Sequence, residues 1–131
     1  MSNEIELSGT SLVELLKHNG KIEIPKPFER DIFLFDTHIA GTSHIEGIEE
    51  LEPFINIGDK LDFFREPDNP YDEEAIVIKN ENGVKVGYVP KADNIIFSRL
   101  MDAGKLLFGK IEKKEMKSNW LKINIKIYLK D

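Results

Sequence analysis

At 131 residues, with 40% hydrophobic and 32% charged side chains, the chain holds enough apolar material for one domain core, which excludes a disordered tail. Cysteine is absent, which excludes disulfides, thiolate metal sites and cysteine nucleophiles and fits a reducing, cytoplasmic setting. A net charge of −6 argues against coating nucleic acid by bulk electrostatics, which needs a strongly basic face. No run of about 18 uncharged apolar residues occurs, and the acidic start Met1-Ser2-Asn3-Glu4 has no apolar stretch behind it, so neither a membrane span nor an export signal is expected. The charge is divided: Asp36 to Ala75 carries 12 acidic and 2 basic side chains, Ile76 to Asp131 carries 6 and 12. Two solvated faces of opposite sign, or a positive strip that meets a polyanion, fit this division equally.

Residues 1–30 read as an N-terminal arm around one short helix. Ser11 and Glu14 have capping-box spacing, Leu12, Val13, Leu15 and Leu16 supply an apolar face, and Asn19-Gly20 a stop. Pro25-Lys26-Pro27 then forces an extended connection, with a boundary near Glu29. Residues 31–131 read as a small β-domain. A first strand starts at Ile32-Phe33-Leu34-Phe35, reaches Ile39 and stops at Gly41; a second covers Leu61 to Phe64. Ala75 to Lys79 and Val84 to Val89 flank Asn80-Glu81-Asn82-Gly83, and the Asn-Gly pair predicts a hairpin with a type I′ turn. Pro90 closes that strand. Ile95, Ile96, Leu100 and Met101 share one face of a helix over Ala92 to Ala103, with Gly104 as its stop. Two more strands follow, Leu106 to about Lys110 and Trp120 to Leu129, the latter with Ile123, Ile125 and Ile127 facing in and Lys122, Asn124 and Lys126 facing out. The expected fold is mainly β (α+β): a small six-stranded barrel, OB-like or SH3-like, with one or two helices and the helical arm.

No Gly-rich phosphate loop, nucleophile elbow or His-Glu-x-x-His is present. His18, His38 and His44 lack partners at metal-ligand spacing, so no metal and no other cofactor is expected. Carboxylates crowd Glu66, Asp68, Asp72, Glu73 and Glu74, but Pro67 and Pro70 stand where a calcium loop needs glycine, and only Tyr71 offers a sugar platform. What remains is stiffness. Two prolines fix backbone torsions, Asp68, Asn69 and Asp72 can bond their own backbone, and Tyr71 and Asp72 present a ring beside a carboxylate. On residue chemistry alone the stretch from Arg65 to Ala75 reads first as a rigid turn between two strands.

The run Arg65-Glu66-Pro67-Asp68-Asn69-Pro70-Tyr71-Asp72, then Ala75-Ile76, Val86-Gly87-Tyr88-Val89-Pro90, and Ile39-Ala40-Gly41 at the first strand, closely resembles the signature of the HIRAN domain family, from about Phe33 to Leu129. The resemblance implies an OB-like barrel that captures the 3′ end of single-stranded DNA. Tyr71 would stack on a terminal base, worth roughly 1 to 3 kcal/mol. Asp72 would accept the 3′ hydroxyl and repel a 3′ phosphate. Lys91 falls where the family places a phosphate-contacting lysine, with Tyr88 beside it. Trp120 takes the place of an aromatic that stacks on a second base, though a lone tryptophan equally suits a core. Arg65 is kept, with Glu66 beside it as an ion-pair partner. The chain departs from the family at Ser43-His44, where DNA-binding members carry a basic residue and then an aromatic one; a phosphate contact is lost, while His44 can stack or, as an imidazolium, meet a phosphate. The leading expectation is a non-catalytic module for strand ends, acting in DNA repair or processing. The alternative is a protein-interaction module that docks a partner through the acidic surface or the arm. An enzyme needs a catalytic constellation that the chain does not offer.

Overall fold

The computed structural model describes residues 31–130. The arm helix, its Asn19-Gly20 stop and His18 lie outside the described residues. Six strands form one antiparallel sheet: β1 (Asp31–His38), β2 (Lys60–Arg65), β3 (Ile76–Lys79), β4 (Lys85–Tyr88), β5 (Leu106–Lys117) and β6 (Trp120–Lys130). Their order across the sheet is β1-β6-β5-β2-β3-β4, so the first strand of the domain pairs with the last. Two short helices complete it, α1 (Ile48–Leu51) and α2 (Asn94–Asp102). This is the mainly β, OB-like half-barrel that the sequence leads one to expect.

The sheet curls until its outer strands touch at one bridge, where Ala40 N–H donates to Tyr88 O at 2.7 Å and Tyr88 N–H to Ala40 O at 2.9 Å. Gly87 makes the approach feasible. Its φ is 152°, and a Cβ there would stand 2.5 Å from Ala40 O and strike the Ile39 side chain. Inside the curl, Ile123, Ile125 and Ile127 are fully buried together with Ile39, Leu61, Ile76 and Ile78. The alternation along β6 is therefore as read. Phe97 of α2 packs on Phe35, with ring centroids 5.7 Å apart. Among the described residues no helix is long and apolar enough to cross a membrane.

Two local expectations need correction, and one segment carried none. The β3–β4 connection is not a type I′ turn: Gly83 has φ 81° but Asn82 is not at positive φ. Instead Gly83 N–H reaches Asn80 O at 2.9 Å, the Asn80 carboxamide accepts the Asn82 and Val84 N–H groups, and a bulge between Ile78 and Lys79 absorbs the longer loop. β5 runs past Lys110 to Lys117, through Glu112, Lys113, Lys114 and Glu115, because pairing with long β6 supplies its backbone partners where the apolar pattern stops. Between β1 and β2 lie 3₁₀ turns at Thr42–His44 and Glu52–Phe54 and the single turn of α1, all too short to show a period in sequence.

Candidate functional site

The loop between β2 and β3 is held stiff by hydrogen bonds of its own side chains and backbone. The Asn69 Oδ1 accepts the N–H groups of Tyr71 and Asp72 at 2.8 and 3.2 Å, and its Nδ2 donates to Glu66 Oε1 at 3.0 Å. Asp72 Oδ1 accepts the Glu74 N–H at 2.9 Å. Backbone bonds from Glu66 N–H to Ala75 O and from Ala75 N–H to Asp72 O close the base. The loop is also fastened to α2: Ser98 Oγ donates to Glu74 Oε1 at 2.5 Å, and Asn94 Nδ2 to Asp72 Oδ2 at 2.8 Å. On the backbone so fixed, Tyr71 stands 88% exposed.

Beside it lies a cleft of about 590 Å³ on the line where β1 and β4 meet, walled by Ala40, His44, Glu66, Tyr71, Asp72, Tyr88, Lys91 and Asn94. Five of the eight residues singled out from sequence, Tyr71, Asp72, Lys91, Tyr88 and His44, thus line one hollow. The Tyr88 hydroxyl donates to Glu66 Oε1 at 2.8 Å and accepts from Lys85 Nζ at 2.9 Å. Asp72 is held below its ordinary pKa first by the Asn94 amide, then by the Glu74 N–H, with Lys91 and Arg65 adding positive potential. Burial opposes ionisation of Glu66, but hydrogen bonds from Asn69 and Tyr88 and the charges of Lys85 and Lys79 outweigh it and lower its pKa. The cleft therefore presents an exposed ring, two ionised carboxylates and one lysine. Such a set can stack a flat group, accept hydrogen bonds and meet one negative charge.

The other three lie elsewhere. Arg65 does not pair with Glu66: its guanidinium grips Asp102 at the end of α2 at 2.9 and 3.3 Å and donates to the Ala75 and Glu73 carbonyls at 2.8 and 3.0 Å. Asp102 raises the Arg65 pKa accordingly. Ser43 borders a separate hollow with Met116 and Asn119. Trp120 stands edge-on against His38, with ring centroids 6.4 Å apart, and is 38% exposed, so it is neither core nor part of the cleft wall. Asn94 and Asn69, which organise the site, were not singled out as site residues from sequence; Asn69 carried a signal in its Asx-turn position, Asn94 none. Among the described residues no three histidine or carboxylate groups gather as a metal cluster would.

A half-barrel of this order with a cleft on its closing line defines a small OB-like fold. Residues 32–130 match the family model described as the HIRAN domain, and the chain belongs to that family. The chain is 35% identical over 77 residues to the helicase-like transcription factor of Oryctolagus cuniculus and 31% identical over 77 residues to that of Mus musculus. Each match covers 56% of this chain and 7% of the relative, so the chain spans only a small part of those proteins' length. Among solved structures, a protein from Lactobacillus plantarum superposes with a TM-score of 0.71 at 21% identity, covering 77% of this chain and 96% of that one. The crystal structure of the HIRAN domain of human HLTF gives 0.58 at 21%, covering 77% and 81%. The NMR structure of the HLTF HIRAN domain in its DNA-bound conformation gives 0.53 at 20%, covering 77% and 80%. These likenesses show the fold.

Proposed function

We propose that the protein is a non-catalytic module that captures the 3′-hydroxyl end of single-stranded DNA in the cleft between Tyr71 and Lys91, in the service of DNA repair or processing. The observation that carries this reading is that Tyr71, Asp72 and Lys91 line one hollow. An exposed ring offers a base a stacking partner whatever its identity. Each Asp72 oxygen accepts one bond from within the protein, from Glu74 N–H and Asn94 Nδ2, and keeps a lone pair for a hydroxyl donor. A carboxylate held ionised repels a terminal phosphate, and Lys91 suits the phosphate one link back. The DNA-bound conformation described for the HLTF HIRAN domain supports the class of ligand.

Fluorescence anisotropy with short single strands ending in a 3′ hydroxyl or a 3′ phosphate tests it. The hydroxyl end should bind more tightly. Tyr71→Ala should weaken both by the roughly 1 to 3 kcal/mol of one stacked base, and Asp72→Ala should erase the difference between them. Equal affinity for both ends in the unaltered protein sinks the reading.

One observation favours a second reading, a protein-docking module: a neighbouring hollow of about 630 Å³ combines Glu46 and Glu50 with Ile45, Leu51 and Phe54, a lining suited to a basic, apolar peptide. Failure of every strand to bind would leave this one standing.

A further inference from the structure

The exterior of the sheet offers a surface that the cleft does not use. On β6 the buried isoleucines alternate with Trp120, Lys122, Asn124, Lys126, Tyr128 and Lys130, which point outward. Strand register extends these positions into transverse rows. Phe33, Tyr128, Phe108 and Asp62 form one, Asp36, Lys126, Lys110 and Lys60 the next, and Trp120 opposite Lys117 the last. The aromatic row is continuous: Phe33 meets Tyr128 edge-on at 5.9 Å, and Tyr128 stacks on Phe108 at 5.3 Å. Each ring carries an ammonium, with Lys126 over Phe33 at 4.8 Å and Lys110 over Tyr128 and Lys60 over Phe108 at 5.3 Å. The rings thereby fix where the positive charges stand.

Acids share the face but neutralise only part of it. Asp36 and Glu112 hold Lys126 at 2.8 and 3.3 Å, and Glu115 lies 3.7 and 3.8 Å from Lys113 and Lys117. Among the described residues, Lys60, Lys110 and Lys122 have no carboxylate within 4.0 Å. Half-exposed Phe33 marks one end of the face and the Trp120–His38 pair the other, about 27 Å apart along β6 at ~3.4 Å per residue. His38 precedes by two positions Ala40, which lines the cleft, so the face adjoins the cleft at its tryptophan end. In a chain of net charge −6, lysines gathered on one face and bordered by the exposed rings of Phe33 and Trp120 match the two repeating chemistries of an unpaired strand, phosphate and base.

We propose that the outer face of β6, with its neighbours β1, β5 and β2, is a second nucleic-acid surface: a track for the body of a single strand. Lys60, Lys110 and Lys122 meet phosphates, and Phe33 and the Trp120–His38 pair receive bases. The track is independent of end capture. It needs no free terminus and no contribution from Tyr71 or Asp72.

Anisotropy with oligothymidylates of about 4 and about 20 nucleotides separates the two sites, because only the longer strand can span the face. The longer strand should bind about tenfold more tightly and with a steeper salt dependence. The Lys60→Gln, Lys110→Gln double variant, its fold checked by circular dichroism, should abolish that gain. It should also reduce the slope of log affinity against log salt by about 1.4, at about 0.7 per phosphate contact. A blocked 3′ end should leave the gain intact. Equal affinity for both lengths overturns the track while leaving end capture standing; a lysine-dependent gain without discrimination between hydroxyl and phosphate ends does the reverse. Phosphatidylserine vesicles bound through the same lysines, with no gain from strand length, overturn it in favour of a membrane surface.

Discussion

Asn94 turns its amide nitrogen to Asp72 at 2.8 Å and leaves its own oxygen, buried, without a hydrogen-bond partner among the described residues. A buried acceptor in that state costs about 1 to 3 kcal/mol, so the side chain gives up one bond to make the other. Replacing it by alanine removes the orphan oxygen along with the bond. The Asp72 pKa should then rise toward its ordinary value, read by carboxyl-carbon NMR titration, and the preference for a hydroxyl over a phosphate end should shrink. An unchanged Asp72 titration would show that Asn94 does not hold the carboxylate.

Arg65 and Lys91 are both cationic near the loop, yet their substitutions should separate cleanly. Arg65 spends its donors on Asp102 and on the Ala75 and Glu73 carbonyls, whereas Lys91 is exposed and lines the cleft. Lys91→Ala should lower the salt slope of strand binding by about 0.7. Arg65→Ala should leave the slope unchanged and instead accelerate amide hydrogen exchange at Tyr71 and Ala75. Arg65→Lys should not restore protection, since an ammonium cannot reproduce the planar fork.

Gly87→Ala should be the most damaging small substitution in the barrel. The added methyl meets Ala40 O and Ile39 at a backbone φ of 152°. Overpacking together with strain places the loss at about 3 kcal/mol or more, measured by urea denaturation. Loss of the β1–β4 bridge should appear as fast exchange of the Ala40 and Tyr88 amides.

Stability should depend on acid through two carboxylates. The folded-state pKa values of Glu66 and Asp72 both lie below their ordinary range. Their contribution is therefore complete above the unfolded values of about 4 and is lost as pH falls through the folded ones. The urea midpoint should decline below about pH 4. Glu66→Gln, which can still accept from Tyr88 and Asn69, should flatten that decline.

The sequence was most informative where the period was long and the burial one-sided. β6, with isoleucines at every second position, could be read directly; the bounds of α2 differ from expectation by one or two residues, but its face does not follow the reading, since Ile95 and Ile96 are exposed and Asn94, Phe97 and Ser98 are buried. It was least informative where structure depends on partners far along the chain. Nothing near Arg65 announces that its counter-ion is Asp102, 37 residues on, and adjacency suggested Glu66 instead. Nor could the Asn-Gly pair reveal that the Asn80 carboxamide would take over the turn. In the cleft, the loop residues were visible as a contiguous motif. Asn94 was not, because a polar residue at the start of a helix reads as a cap, and only the fold turns it toward Asp72.

The barrel closes along one margin by a pair of backbone hydrogen bonds between Ala40 and Tyr88. Ala40 and His44 form one lip of the cleft; Tyr88 and Lys91 form the other. Any molecule seated there works as a clasp across the backbone bridge that joins the two edges. Part of its binding energy goes into keeping the barrel shut, and the gain follows ligand concentration. Occupancy is then measurable far from the ligand, as slower opening of the whole curl, and a protein that has released its guest is the same barrel with its fastening one grip weaker.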